Sequence, residues 1–142
     1  MLIRKSSGAV VFNIHEGKVE ILLVTSSSGK EWVFPKGGVE FDLSARASAA
    51  KEVYEEAGVL GNVGRKLGDY RYVKNNQIQE VTMYAMQYTG EADDWPEEHK
   101  RQRQWFKPKK AMAKVDMYLA SFIHDVVSNI EASFAHEARK VG

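Results

Sequence analysis

The chain contains no cysteine, which excludes disulfides and thiolate metal ligands. Its four histidines, His15, His99, His124 and His136, show no paired ligand spacing and read as surface or helix residues. No apolar run approaches the length of a membrane span. The N-terminus carries two basic residues without a long apolar stretch behind them, so it does not read as a signal peptide. A cytoplasmic location is the default expectation. Charge of one sign is also scarce: the net value is +1, with no global pull towards nucleic acid or membrane, so any anion site must come from local clustering. There is no internal repeat, low-complexity tract or convincing linker. What remains is ordinary for a globular protein, 44% hydrophobic and 27% charged over 142 residues. That is enough for a single domain, residues 1–142, around one core.

Alternating and short apolar runs predict strands over residues 4–14 and 19–25, joined by a turn at His15-Glu16-Gly17-Lys18. Ser26 to Lys30 reads as a loop, and Trp32-Val33-Phe34 as a short extended piece before Pro35. Ser44 is a candidate N-cap for a helix whose packing face would be Ala47, Ala50, Val53, Tyr54 and Ala57. Residues 60–73 and 77–89 predict a hairpin turning at Asn75-Asn76. Gln104-Trp105-Phe106 reads as a further short strand, and Pro108 can open a helix. Leu119, Phe122, Ile123, Val126, Val127, Ile130 and Phe134 recur at helical spacing and predict an extended C-terminal helix at about 117–138. The order β-β-α-β-β-α suggests an α/β/α sandwich with a mixed central sheet.

The segment GGVEFDLSARASAAKEVYEEAGV, residues 37–59, carries the chemistry. Glu52, Glu55 and Glu56 sit at i, i+3 and i+4, so a helix puts all three carboxylates on one side. Such like charges repel unless a cation sits among them, and grouped hard oxygen donors suit Mg²⁺ or Mn²⁺. Gly37 and Gly38 precede this helix and would let backbone approach a metal and phosphates closely; Gly58 closes it.

The spacing resembles the Nudix box, G-x5-E-x7-R-E-U-x-E-E-x-G-U with U aliphatic. Seven of the nine specified positions agree: Gly37, Glu52, Val53, Glu55, Glu56, Gly58 and Val59. Leu43 stands where the family has glutamate and Lys51 where it has arginine. The resemblance implies the Nudix α/β/α fold and a metal-dependent hydrolase of phosphoanhydrides. Glu52, Glu55 and Glu56 would be metal ligands and catalytic groups, with the Gly37 backbone carbonyl as an extra ligand. One of the three, or a carboxylate from elsewhere, would activate water. The family's glutamate–arginine pair is lost here, and Glu40 or Asp42 could reach Lys51 instead.

Beyond the box, Ile21 to Glu40, Asn62 to Arg65 and Arg101 to Phe106 resemble the diphosphoinositol polyphosphate phosphohydrolases, a branch that also cleaves diadenosine polyphosphates. That implies a small-molecule polyphosphate substrate. Candidate substrate-binding residues are Arg4, Lys5, Lys18, Ser28, Lys30, Lys36, Gly37, Gly38, Arg101 and Arg103, since a chain of phosphates needs several cations. Lys36 and Arg103 are the stronger candidates. Tyr70, Tyr72, Tyr84 and Tyr88 read as sheet-packing residues that could stack on a purine, and Glu97-Glu98 as an exposed acidic loop that could supply a late ligand or base. Two other readings stay open: a hydrolase of nucleoside di- or triphosphates or RNA 5′ ends, and a non-catalytic nucleotide-binding Nudix module. No membrane partner is expected, and no nucleic acid beyond a capped or triphosphorylated RNA end. Whether the last helix forms a homodimer is left open.

Overall fold

A computed structural model describes residues 2–141, so the two ends of the expected 1–142 domain lie outside the described residues. The strands are β1 (Ile3–His15), β2 (Lys18–Thr25), β3 (Trp32–Val33), β4 (Lys36–Gly38), β5 (Val59–Lys74), β6 (Gln77–Glu91) and β7 (Arg103–Phe106). The helices are α1 (Ala45–Ala57), α2 (Pro108–Lys114) and α3 (Ala120–Val141), with a 3-10 turn at Met117–Leu119 before α3. All strands join one sheet in the order β3-β2-β1-β6-β5, with β4 also on β1 and β7 also on β2. The β1–β6 pairing is parallel and the others are antiparallel, which makes the sheet mixed, as expected.

β1 and β2 pair only as far as Val11 and Leu22. Beyond that point they part, and residues 32–38 enter the gap. Val33 pairs with Val24 of β2, the Ala9 N–H donates to the Pro35 carbonyl at 3.2 Å, and Gly37 pairs with Ser7 of β1. The glycine pair ahead of α1 therefore lies in a three-residue strand, because its backbone groups find the edge that β2 has vacated.

Side chains alternate between the two faces of the sheet. Val10, Ile21, Leu23, Val81, Met83 and Ala85 face a core closed by Ala111 of α2 and Phe122, Ile123, Val126 and Ile130 of α3. Ala9, Val11, Leu22, Val24 and Met86 face a second core closed by Val53 and Ala57 of α1. The run Ile21 to Val24 is apolar throughout because β2 is covered on both faces.

The Ser44 hydroxyl caps α1 by accepting from Ala47 N–H at 3.0 Å, as expected. Gly58 ends it in the left-handed region, at φ 65°. The packing face differs from the expected one: Ser48, Ala49, Val53, Glu56 and Ala57 are buried, while Ala47 and Tyr54 are exposed. Alanines on every side of this helix carry little periodic signal, so its orientation is set by contact with β1, β4 and β5. The C-terminal helix is present but starts at Ala120, after the 3-10 turn, and runs on to Val141.

Ile123 is wholly buried where α3 meets the sheet. Ile123→Ala should cost about 2–5 kcal/mol, read as a lower urea midpoint with an unchanged slope.

Candidate active site

The gap between β1 and β2 brings β4 against α1. A Cβ built at Gly37 would overlap the Glu52 carboxyl group, so only glycine lets strand and carboxylate approach this closely. One turn on, Glu56 is buried under the same strand. The Lys36 N–H donates to its Oε2 at 3.3 Å, and Arg101 Nη2 lies 3.6 Å from its Oε1. Burial pushes the Glu56 carboxyl up to about 8; the Glu97 and Glu52 charges add to the rise, against Arg101 and the Lys36 N–H. Glu52 is also raised, first by burial and then by the Glu55 and Glu97 charges.

Glu55 is turned partly aside. Lys51 Nζ lies 3.5 Å from its Oε1 and also pairs with Glu40. Of the two acids expected to reach Lys51, Glu40 does so, which engages it as an ion-pair partner. The three carboxylates thus share one helix face without meeting at a point. Among the described residues no group of three or more acidic or histidine side chains stands close enough to hold a metal ion as placed.

The donor set nonetheless fits a hard divalent cation. Its donors are carboxylate and backbone oxygens, the Gly37 cradle excludes any side chain that would fill it, and Mg²⁺ keeps several waters instead of needing a full protein cage. Beside this cradle, the buried Ser7 hydroxyl, on the residue paired with Gly37, has no hydrogen-bond partner among the described residues.

Two clefts lie beside Lys36 of β4. One, of about 280 Å³, is lined by Arg4, Lys36, Lys74 and Arg101 with Gly37, Gly38 and neutral side chains, and by no carboxylate. Arg4 lies directly over Gly38. The other, of about 320 Å³, is lined by Phe34, Tyr70, Tyr72 and Tyr118 together with Lys36 and Glu56. Tyr70 and Tyr72 stack with centroids 6.1 Å apart, and Tyr118 meets Tyr70 edge-on at 5.9 Å. Lys36 joins the clefts: its Nζ donates to the Tyr72 hydroxyl at 2.7 Å.

Of the substrate-binding candidates, Arg4, Lys36, Gly37, Gly38 and Arg101 are brought together. Lys18 is not, since it pairs with His15 at the far end of β1 from Gly8 and Lys36. Lys5 is exposed on β1 opposite Glu80 and lines neither cleft. Ser26 and Ser27 reach the aromatic cleft, but Ser28 bonds back to Ser26 at 3.1 Å and Lys30 lines a separate hollow. Arg103 is spent elsewhere: it donates to the Ala57 carbonyl at 2.7 Å, pairs with Glu91 at 2.9 Å and stacks 3.9 Å from the Trp95 ring centroid.

Glu97 is the residue the sequence undervalued. Its N–H donates to the Glu55 carbonyl at 3.0 Å, and its carboxylate accepts from Arg101 Nε at 2.9 Å, beside Glu56. The i, i+4 spacing of Glu97 and Arg101 is the sequence signal for this pair, set inside a turn-rich segment. Tyr70 and Tyr72, read as sheet-packing residues, line the cleft on one side.

A NUDIX domain model matches residues 3–126. Nudix hydrolase 17, mitochondrial, of Arabidopsis thaliana is 41% identical over 96 residues, covering 66% of this chain and 53% of that protein. Diphosphoinositol polyphosphate phosphohydrolase 2 of Rattus norvegicus is 38% identical over 100 residues, covering 68% and 55%. The chain spans about half the length of the curated relatives it matches. A crystal structure of a C. elegans Ap4A hydrolase binary complex superposes with TM-score 0.78 at 20% identity, covering 91% of this chain and 98% of that one, and shares the fold.

Two outcomes test the site. Gly37→Ala should displace Glu52 and weaken Mn²⁺ binding at least about tenfold by titration calorimetry, with the fold retained by circular dichroism. The second concerns pH. The folded-state value for Glu56 lies above its ordinary 4.5, so the folded chain binds the extra proton. Its stabilising effect is complete below about pH 4.5 and is lost as the pH rises through about 8. In chelator-treated protein, Glu56→Gln should flatten the fall in thermal midpoint across that window.

Proposed function

The chain belongs to the Nudix hydrolase family, and we propose that it is a metal-dependent pyrophosphohydrolase cleaving a phosphoanhydride bond in a dinucleoside polyphosphate or a diphosphoinositol polyphosphate. Nudix enzymes generally need divalent metal ions. One observation carries the proposal: the α1 carboxylates lie against the β4 backbone, and Lys36 of that strand lines both a cationic cleft and a tyrosine-lined cleft. A polyphosphate with a substantial group at one end matches that pairing.

Glu52, Glu55, Glu56 and the Gly37 carbonyl would hold Mg²⁺ or Mn²⁺, which when bound offsets phosphate charge and acidifies water. Arg4, Lys36 and Lys74 bind the phosphate oxygens and orient the chain. Water oxygen attacks one phosphorus, the P–O bond to the bridging oxygen breaks, and two phosphate products leave. The proton goes to a carboxylate; Glu97, delivered from outside α1 and steadied by Arg101, is our candidate for that base. The tyrosine cleft suits a purine and so favours a dinucleoside substrate. The cationic cleft, and a relative named as a diphosphoinositol polyphosphate phosphohydrolase, favour the inositol class. A cytoplasmic location belongs to the same proposal, beside plant relatives whose names are mitochondrial; imaging of the tagged chain separates the two.

The deciding experiment is a hydrolysis panel with and without Mg²⁺, spanning diadenosine polyphosphates, inositol pyrophosphates, free nucleotides and capped or triphosphorylated RNA, with products identified by mass. Glu55→Gln and Glu56→Gln should each lower kcat/KM at least about 10²-fold without loss of fold. Undiminished turnover in both would remove this site from the reaction. Preference for single nucleotides or RNA ends would move the substrate class, and thermal stabilisation by nucleotide without turnover would make the chain a binding module.

A further inference from the structure

The side chains of β1 that face α1 include Ser7, Ala9 and Val11, and all three are wholly buried. Ser7 is the polar member of this run. Its hydroxyl makes no hydrogen bond among the described residues. Alanine would fill nearly the same space with no polar group to desolvate. An unmet hydroxyl here therefore costs stability and adds nothing to the packing.

The strand register fixes what this hydroxyl stands beside. Ser7 lies directly opposite Gly37 in an antiparallel pair. Residues so paired project to the same face of the sheet, with Cβ positions about 5 Å apart. A Cβ at Gly37 would fall on the Glu52 carboxyl group. That carboxyl therefore stands where the cross-strand neighbour of Ser7 would be. It is also the one α1 carboxylate of the three that lacks a partner among the described residues. Glu55 pairs with Lys51, and Glu56 holds the Lys36 N–H and faces Arg101, whereas only burial and neighbouring charges act on Glu52. A donor without an acceptor and an acceptor without a donor thus share one side of one backbone pair.

We propose that Ser7 is a positioning residue for the metal site: with a divalent cation bound, its hydroxyl donates to a Glu52 carboxylate oxygen and holds that carboxylate in the Gly37 cradle. As placed, the two groups are neighbours without a bond. The hydroxyl hydrogen is free to rotate, so it can follow the carboxylate when Glu52 turns towards a cation. A ligand carboxylate that is itself hydrogen-bonded keeps its orientation and binds metal more tightly. Ser7 acts through Glu52 and needs no contact with the cation or the substrate. The inference rests on the metal-binding reading of α1 and adds to it a residue from β1.

Ser7→Ala separates this role from a purely structural one, because its two readouts move in opposite senses. Mn²⁺ affinity, measured by titration calorimetry, should fall at least about tenfold. The thermal midpoint of chelator-treated protein should rise by about 2–4 °C, since a buried unmet hydroxyl has been removed. Unchanged Mn²⁺ affinity in Ser7→Ala, or a lower midpoint in the chelated protein, would overturn the role of Ser7 and leave the metal site standing. Wild-type protein that binds no Mn²⁺ would instead remove the metal-binding reading, and this inference with it.

Discussion

The contact between the β4 backbone and the α1 carboxylates is the constraint on which the rest of the structure turns. β1 and β2 stop pairing after Val11 and Leu22, and residues 32–38 take up the released edges. That insertion places Gly37 on Glu52, the Lys36 N–H on Glu56 and Arg4 over Gly38. A side chain at Gly37 would prevent the approach. Pro35 favours the extended backbone of Phe34 before it, and its carbonyl accepts from Ala9.

Bringing acids under a strand has an electrostatic cost, and the surroundings show how it is met. Lys51 sits between Glu40 and Glu55, so the lysine that replaces the family's arginine keeps an acidic partner although Leu43 supplies none. Arg101 spans Glu56, Glu97 and the Thr25 carbonyl, tying α1 to the segment before β7 and to the end of β2. Arg103 serves the end of α1: its guanidinium meets the Ala57 carbonyl, where a cation suits the helix C-terminus. It also stacks on Trp95, whose indole N–H donates to the Glu56 carbonyl at 3.2 Å. Trp95 fits over Gly58, where a Cβ would collide with the ring. This clamp delivers Glu97 to the carboxylate face.

The two clefts share Lys36, Tyr72, Lys74 and Arg101, so a ligand in one is within reach of cations serving the other. They differ in what is not shared: Phe34, Tyr70 and Tyr118 line one, and Arg4 with the Gly37-Gly38 backbone lines the other.

The α1 helix with its caps, the 74–77 hairpin and the periodic stripe of α3 are legible in the sequence, because each rests on interactions between near neighbours. The family was legible for the same reason, its box being one continuous stretch. Local pattern narrows the partner of Lys51 to Glu40 or Asp42, and marks Arg4, Lys36 and Arg101 as cations without a geometry. Tertiary structure alone decided that Gly37 lies in a strand, that Arg103 supports the end of α1, that Lys18 is remote, and that Glu97, Tyr70 and Tyr72 reach the site. Those outcomes depend on where β1 and β2 part and on which chain segment fills the gap. Local pattern is blind to that choice, because it is made by backbone hydrogen bonds between residues distant in sequence.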